Sequence, residues 1–188
     1  MLVGDHAPSQ TYVRGKEKAS QEVGFNGQVI RLLETTSQQD VIETITRLND
    51  DPAVHGMIVQ LPLPSHIDSD AVLLEIDPAK DVDGLHPHSL GLLLAGVPRF
   101  VPATALGIQR ILVEQGIEMS GASVVVCGRG ALVGRPLSVL LSQRGPGANA
   151  TVTLCHTRTK DLAEITRNAD VLVGAMGAAE SITGDMVK

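Results

Sequence analysis

Lys16 follows Tyr12 by four residues, in a stretch from Pro8 to Val23 that reads as a helix. At about 100° per residue, Tyr12, Lys16, Ala19 and Val23 share one face, while Arg14, Glu17, Lys18 and Gln21 share the other. The spacing thus predicts a lysine on the apolar stripe. Its stem could pack while the ammonium snorkels to water. Alternatively, desolvation would disfavour the charged form and make the amine a usable acid or base near neutrality. Tyr12 offers a ring for stacking and a hydroxyl. Gln60 follows the apolar run Gly56-Met57-Ile58-Val59, and ligands bind beyond the carboxyl ends of strands in open parallel sheets. Its amide could bond the lysine or a ligand carbonyl, or satisfy backbone before Pro62. Lys80-Asp81-Val82-Asp83-Gly84 places two carboxylates in a loop. One could hold the paired N–H edge of a heterocycle, or both could serve a tight turn. His86 and His88 lack a third ligand and read as loop residues, not a metal site.

A second constellation depends on backbone. The run Ser123-Val124-Val125-Val126-Cys127 leads directly into Gly128-Arg129-Gly130-Ala131-Leu132-Val133-Gly134 and then a helical pattern. Strand, glycine turn and helix N-terminus together favour a phosphate, because free N–H groups and the helix dipole point at it. The spacing G-x-G-x-x-x-G is one residue longer than the usual dinucleotide fingerprint, and a plain tight turn remains the alternative. After the next strand comes Cys155-His156-Thr157-Arg158, with no acid to take a ribose 2′-hydroxyl. Arg129, Thr157 and Arg158 suit a 2′-phosphate instead, which favours NADP over NAD.

These residues need elements to position them. Strands are expected at 29–33, 56–59, 123–127, 151–155 and 171–173. Helices are expected after Ser37, with Asp40 completing a capping box, over 104–115 with Ile108, Ile111 and Leu112 inward, after Val133, and over 160–166. Alternating strands and helices predict an α/β fold with mostly parallel sheets. The Pro/Gly-interrupted stretch 96–100 suggests two domains, 1–99 and 100–188. Composition agrees with a folded, reduced, cytoplasmic chain: 43% hydrophobic and 19% charged residues exclude disorder. A net charge of −6 with 2% aromatics gives neither the basic footprint nor the stacking surface of a nucleic-acid binder. No apolar run reaches the roughly 18 residues a membrane helix needs, and no signal segment opens the chain. Cys127 and Cys155 form no CxxC.

The chain resembles the bifunctional methylenetetrahydrofolate dehydrogenase/cyclohydrolase family over nearly its whole length. The resemblance rests on Val3-Gly4-Asp5, on Ser9-Gln10 with Tyr12-Val13 and Lys16, on Gly56 to Pro64, and on Lys80 to Gly84. It continues through Gly128-Arg129, Val133-Gly134, Pro136, Ala150 to Thr153, Cys155-His156 and Ile182 to Val187. It implies two α/β domains with a cleft between them, the second a Rossmann-like doubly wound parallel sheet. It also implies NADP-dependent oxidation of 5,10-methylenetetrahydrofolate to the methenyl form, hydrolysis to 10-formyltetrahydrofolate, and a homodimer. On it, Lys16 is the general acid/base, Gln60 orients that lysine, Tyr12 stacks on the folate beside Leu61 and Pro62, and Asp83 holds the pterin edge. Gly128, Arg129, Gly130, Val133 and Gly134 line the cofactor site, with Thr157 near the 2′-phosphate.

The departures are Pro102-Ala103-Thr104-Ala105 where the family reads Pro-Cys-Thr-Pro, Gly130 where a serine is usual, and Thr157 for serine. The family also extends beyond both ends of this sequence. A fragment is therefore expected, one that could be catalytically impaired and only bind NADP or folate, or pair with a full-length subunit. Tyr-x-x-x-Lys also occurs in short-chain dehydrogenases, but there the glycine loop precedes the pair. Here it follows by more than a hundred positions, which argues against that reading.

Overall fold

A computed structural model describes residues 1–188. The chain divides into two compact units, Met1–His86 and Pro87–Lys188. The division falls earlier than the 99/100 position suggested by the Pro/Gly-interrupted stretch. The difference is helix α4 (Pro87–Leu94), whose Leu93 packs into the core of the second unit. His88, expected in a loop, lies in that helix. No helix is long and apolar enough to cross a membrane.

In the first unit, β1 (Leu2–Val3) pairs in parallel with β2 (Arg31–Leu32), so only the middle of the expected 29–33 strand joins a sheet. The expected 56–59 strand is reduced to an extended segment with one parallel bridge, Met57 to Asp81. Met57 N–H donates to the Lys80 carbonyl at 2.8 Å, and Gln60 N–H to the Met1 carbonyl at 3.0 Å. Pairing stops there because Pro62 and Pro64 have no N–H to give. Gly56 permits the pairing: a β-carbon there would lie 2.3 Å from a Val82 methyl. Helix α1 (Ala7–Glu22) carries the candidate lysine, and α2 (Gln38–Asp50) covers the core with Val41 and Ile45. Ser37 caps α2 as expected, its Oγ accepting from Asp40 N–H at 3.2 Å. A short helix, α3 (Ser69–Leu74), buries Val72 against the same core.

In the second unit, α5 (Ala103–Glu114), β3 (Ser123–Cys127), α6 (Gly134–Ser142), β4 (Thr151–Cys155), α7 (Leu162–Arg167) and β5 (Val171–Gly174) follow in order. A 3-10 turn at Gly184–Met186 comes last. The sheet is parallel, in the order β4-β3-β5. Burial on both faces explains why β3 reads as an unbroken apolar run. Val124 and Val126 face Leu112, Leu137 and Leu141 on one side, while Val125 and Cys127 face Cys155 and Ala169 on the other. Each fully buried valine there contributes about 2 kcal/mol. Helix α5 turns Ala105 and Leu112 inward, with Ile108 half-buried, but leaves Ile111 61% exposed, contrary to expectation. The inward stripe runs 105–108–112, and Ile111 sits on its flank.

Candidate functional site

Lys16 does not lie on a buried stripe. Helix α1 buries Ser9 and Val13, one position round from the predicted face, and Tyr12, Lys16, Ala19 and Val23 are all exposed. Val13 is the apolar residue that meets the unit, and Ser9 fits beside it because its Oγ bonds the His6 ring at Nδ1, 2.9 Å away. Lys16 is fixed by a polar partner instead. Its Nζ donates to Gln60 Oε1 at 3.3 Å. The amide cannot turn away freely, because its Nε2 donates to the Leu61 carbonyl at 2.8 Å. Lysine has only donors, so this arrangement presents the one amide atom able to receive it. Leu61 is half-buried and joined to the exposed Pro62 by a cis peptide bond.

The acidic loop separates into three tasks. Lys80 Nζ donates to the carbonyls of Leu48, Asn49 and Asp51 at 2.9, 2.6 and 2.8 Å, closing the C-terminal end of α2. Asp81 is 1% exposed and accepts from the backbone N–H groups of Leu85 and His86 at 3.3 and 2.9 Å. Asp83 is half-buried and left over. Burial pushes its carboxyl above the ordinary aspartate range; Lys16 pulls it back, Asp81 adds to the rise, and the Met1 ammonium opposes it. Lys16 thus bonds Gln60 and acts electrostatically on the Asp83 carboxyl, and the three side chains come from a helix, a strand-like segment and a loop.

The second candidate site lies at the carboxyl end of the three-stranded sheet. After β3 the chain goes one way to β4 and the other way to β5, so the switch point falls between β3 and β5. The glycine turn sits there. A β-carbon on Gly128, whose φ is +119°, would lie 2.1 Å from the Ala175 carbonyl oxygen. One on Gly134 would lie 1.8 Å from the Gly128 carbonyl oxygen. Both positions therefore require glycine, whereas Gly130 faces open space. Val133 stands at the start of α6, and no side chain caps that helix. The backbone N–H groups of Arg129 to Val133 make no hydrogen bond within the protein. An exposed arginine, Arg129, leads this unpaired turn. Thr157 and Arg158 are exposed at the end of β4, the strand in register with β3.

An open depression of about 380 Å³ lies beyond β5, with Gly174, Met176, Gly177 and Ile182 among the residues lining it, and the sequence reading does not include it. A glycine-containing segment directly after a parallel strand was the available signal. No three His, Cys, Asp or Glu side chains are grouped to hold a metal ion.

Two family models match this chain. Residues 1–83 match the tetrahydrofolate dehydrogenase/cyclohydrolase catalytic domain, and residues 102–188 match the NAD(P)-binding domain of the same family. The chain belongs to the tetrahydrofolate dehydrogenase/cyclohydrolase family. It is 46% identical over 188 residues to the bifunctional protein FolD of Syntrophobacter fumaroxidans, covering 100% of this chain and 64% of that one. Against FolD of Salinibacter ruber the identity is 50%, with 100% and 63% covered. The crystal structure of Campylobacter jejuni FolD superposes with a TM-score of 0.92 at 43% identity, over 100% of this chain and 65% of that one. FolD of Trypanosoma brucei, complexed with NADP cofactor and inhibitor, gives 0.92 at 39% identity, over 100% and 63%. This family member thus spans somewhat under two thirds of the length of those relatives, and its second unit is a Rossmann-like NAD(P)-binding fold.

Proposed function

We propose that this chain serves NADP-dependent oxidation of 5,10-methylenetetrahydrofolate to 5,10-methenyltetrahydrofolate and its hydrolysis to 10-formyltetrahydrofolate. Folate would bind in the first unit and NADP in the second. The observation that carries the reading is the 3.3 Å bond from Lys16 Nζ to Gln60 Oε1, beside a carboxyl that burial keeps above its usual range.

In the hydrolytic half, water adds to the methenyl carbon and gives up a proton; the new hydroxyl then loses its proton as the formyl C=O forms, the bond from that carbon to N5 breaks, and N5 takes up a proton. Lys16 is the group placed to move that proton, and Gln60 holds its Nζ in one position. The ammonium is exposed in the free chain. A planar pterin lying over it, with Tyr12 stacked on the ligand, would exclude the water that surrounds it. Asp83 would take the paired N–H edge of the pterin, since two donors satisfy a carboxylate that burial alone disfavours. Leu61 and Pro62 would line the same side.

The nicotinamide cofactor supplies the hydride acceptor when bound. Its phosphates would meet the unpaired N–H groups of 129–133, in a turn whose shape needs Gly128 and Gly134, with Gly130 and Val133 along it. Arg129 and Thr157 would meet the 2′-phosphate, and no acid stands there to repel it. A cytoplasmic homodimer belongs to the same proposal. The test is the absorbance of reduced nicotinamide on mixing the chain with NADP⁺ and methylenetetrahydrofolate. NADPH formation is expected. Saturable NADP⁺ or folate binding without turnover would instead support a binding role or pairing with a full-length subunit.

A further inference from the structure

The turn after β4 is bonded more fully than a surface loop requires. Thr159 N–H donates to the His156 carbonyl at 2.8 Å, which closes the turn. Two side chains then add bonds to its backbone. His156 N–H donates to Thr159 Oγ1 at 2.8 Å, and Arg158 N–H donates to His156 Nδ1 at 3.1 Å. The side chains left without a hydrogen bond are Thr157 and Arg158, both exposed at the tip. The turn begins level with the glycine turn, because Cys155 is in register with Cys127 and its carbonyl accepts from Gly128 N–H at 2.8 Å.

We propose that His156 is a positioning residue for cofactor selection. Its Nδ1 lone pair holds the Arg158 backbone so that the Arg158 guanidinium and the Thr157 hydroxyl meet the phosphate that distinguishes NADP from NAD. The inference rests on the NADP reading above. Accepting at Nδ1 places the ring proton on Nε2. Without the acceptor, Arg158 N–H is solvated, the backbone of 157–158 samples other conformations, and the two tip groups no longer arrive together. The pyrophosphate contacts belong to the other turn and are unaffected.

The experiment measures Kd for NADP⁺ and NAD⁺ with the full chain and with His156→Ala and His156→Asn, alongside amide exchange at Arg158. An asparagine carbonyl can occupy the place of Nδ1. His156→Ala is expected to weaken NADP⁺ about tenfold and NAD⁺ by less than about twofold, in line with one lost positioning hydrogen bond. His156→Asn should recover most of the NADP⁺ affinity, and exchange at Arg158 should quicken in the alanine variant alone. Equal loss of both cofactors, unchanged NADP⁺ affinity, or failure of asparagine to rescue would each overturn the inference. A parent chain that binds NAD⁺ as well as NADP⁺ would instead sink the NADP reading, and the selective role with it. Slow exchange at Arg158 that depends on His156 would then identify that bond as structural only.

Discussion

The two units build their candidate sites from different material. In the second unit the working parts are backbone: unpaired N–H groups, a helix start, and two glycines that admit no β-carbon. In the first unit they are side chains, Lys16, Gln60 and Asp83, delivered by three separated segments. A backbone site fails when volume is added; a side-chain site fails when a functional group is removed. Folding and function are therefore joined in the glycine turn and separable around Lys16.

The largest effect tests that separability. Lys16→Met should lower cyclohydrolase turnover by about 10²–10⁴-fold, the usual worth of a positioned acid or base. Because Lys16 is exposed, its denaturation midpoint should stay within about 0.5 kcal/mol of the parent. A variant that turns over normally would remove the proton role.

Next comes the glycine turn. Gly134→Ala should cost about 3 kcal/mol in urea unfolding, since its methyl must displace the Gly128 carbonyl. Gly130→Ala should be near neutral, as it meets nothing within 4 Å. Equal effects would refute the division between the two glycines. The acidic loop offers a parallel contrast. Asp81→Ala leaves two backbone N–H groups without their acceptor and should cost about 2 kcal/mol, measured the same way.

Arg129→Ala should weaken NADP⁺ about tenfold more than NAD⁺ by calorimetry, the worth of one charge-assisted bond. Equal losses would void the 2′-phosphate assignment.

The smallest effect is Asp83→Asn, and its sign is distinctive. Burial raises the folded carboxyl above its unfolded value. The stability it contributes is thus full below the unfolded range and lost as pH rises through the folded value. At neutral pH the asparagine variant should melt slightly higher than the parent and bind folate less well. The two curves should converge in acid below the ordinary aspartate range. A variant that is less stable at pH 7 would show that Lys16 outweighs burial.

Legibility in the sequence follows the same contrast. The run Val124 to Cys127 followed by Gly128 and Gly134 announces its strand, turn and helix because those constraints act between near neighbours. Ser37 and Asp40 are legible for the same reason. The face of α1 is not legible: Tyr12 and Val23 suggest a buried stripe, but the unit accepts α1 along Ser9 and Val13. Helical periodicity gives relative angles between residues and leaves the rotation of the helix open, and a single well-seated valine with a bonded serine decided it. The strand at 56–59 shrank to a bridge because strand formation depends on the partner as much as on propensity.

The residues alone determined the α/β class, the family, the glycine turn and the short set of side chains able to do acid–base work. Tertiary structure decided which of them meet. It set Lys16 against Gln60 across a gap of 44 residues, tied up Lys80 on helix carbonyls and Asp81 on backbone N–H groups, and left Asp83 as the available acid. Backbone turns are encoded by the sterics of adjacent residues, whereas the charge state and partners of a side chain depend on neighbours that only the folded chain brings close.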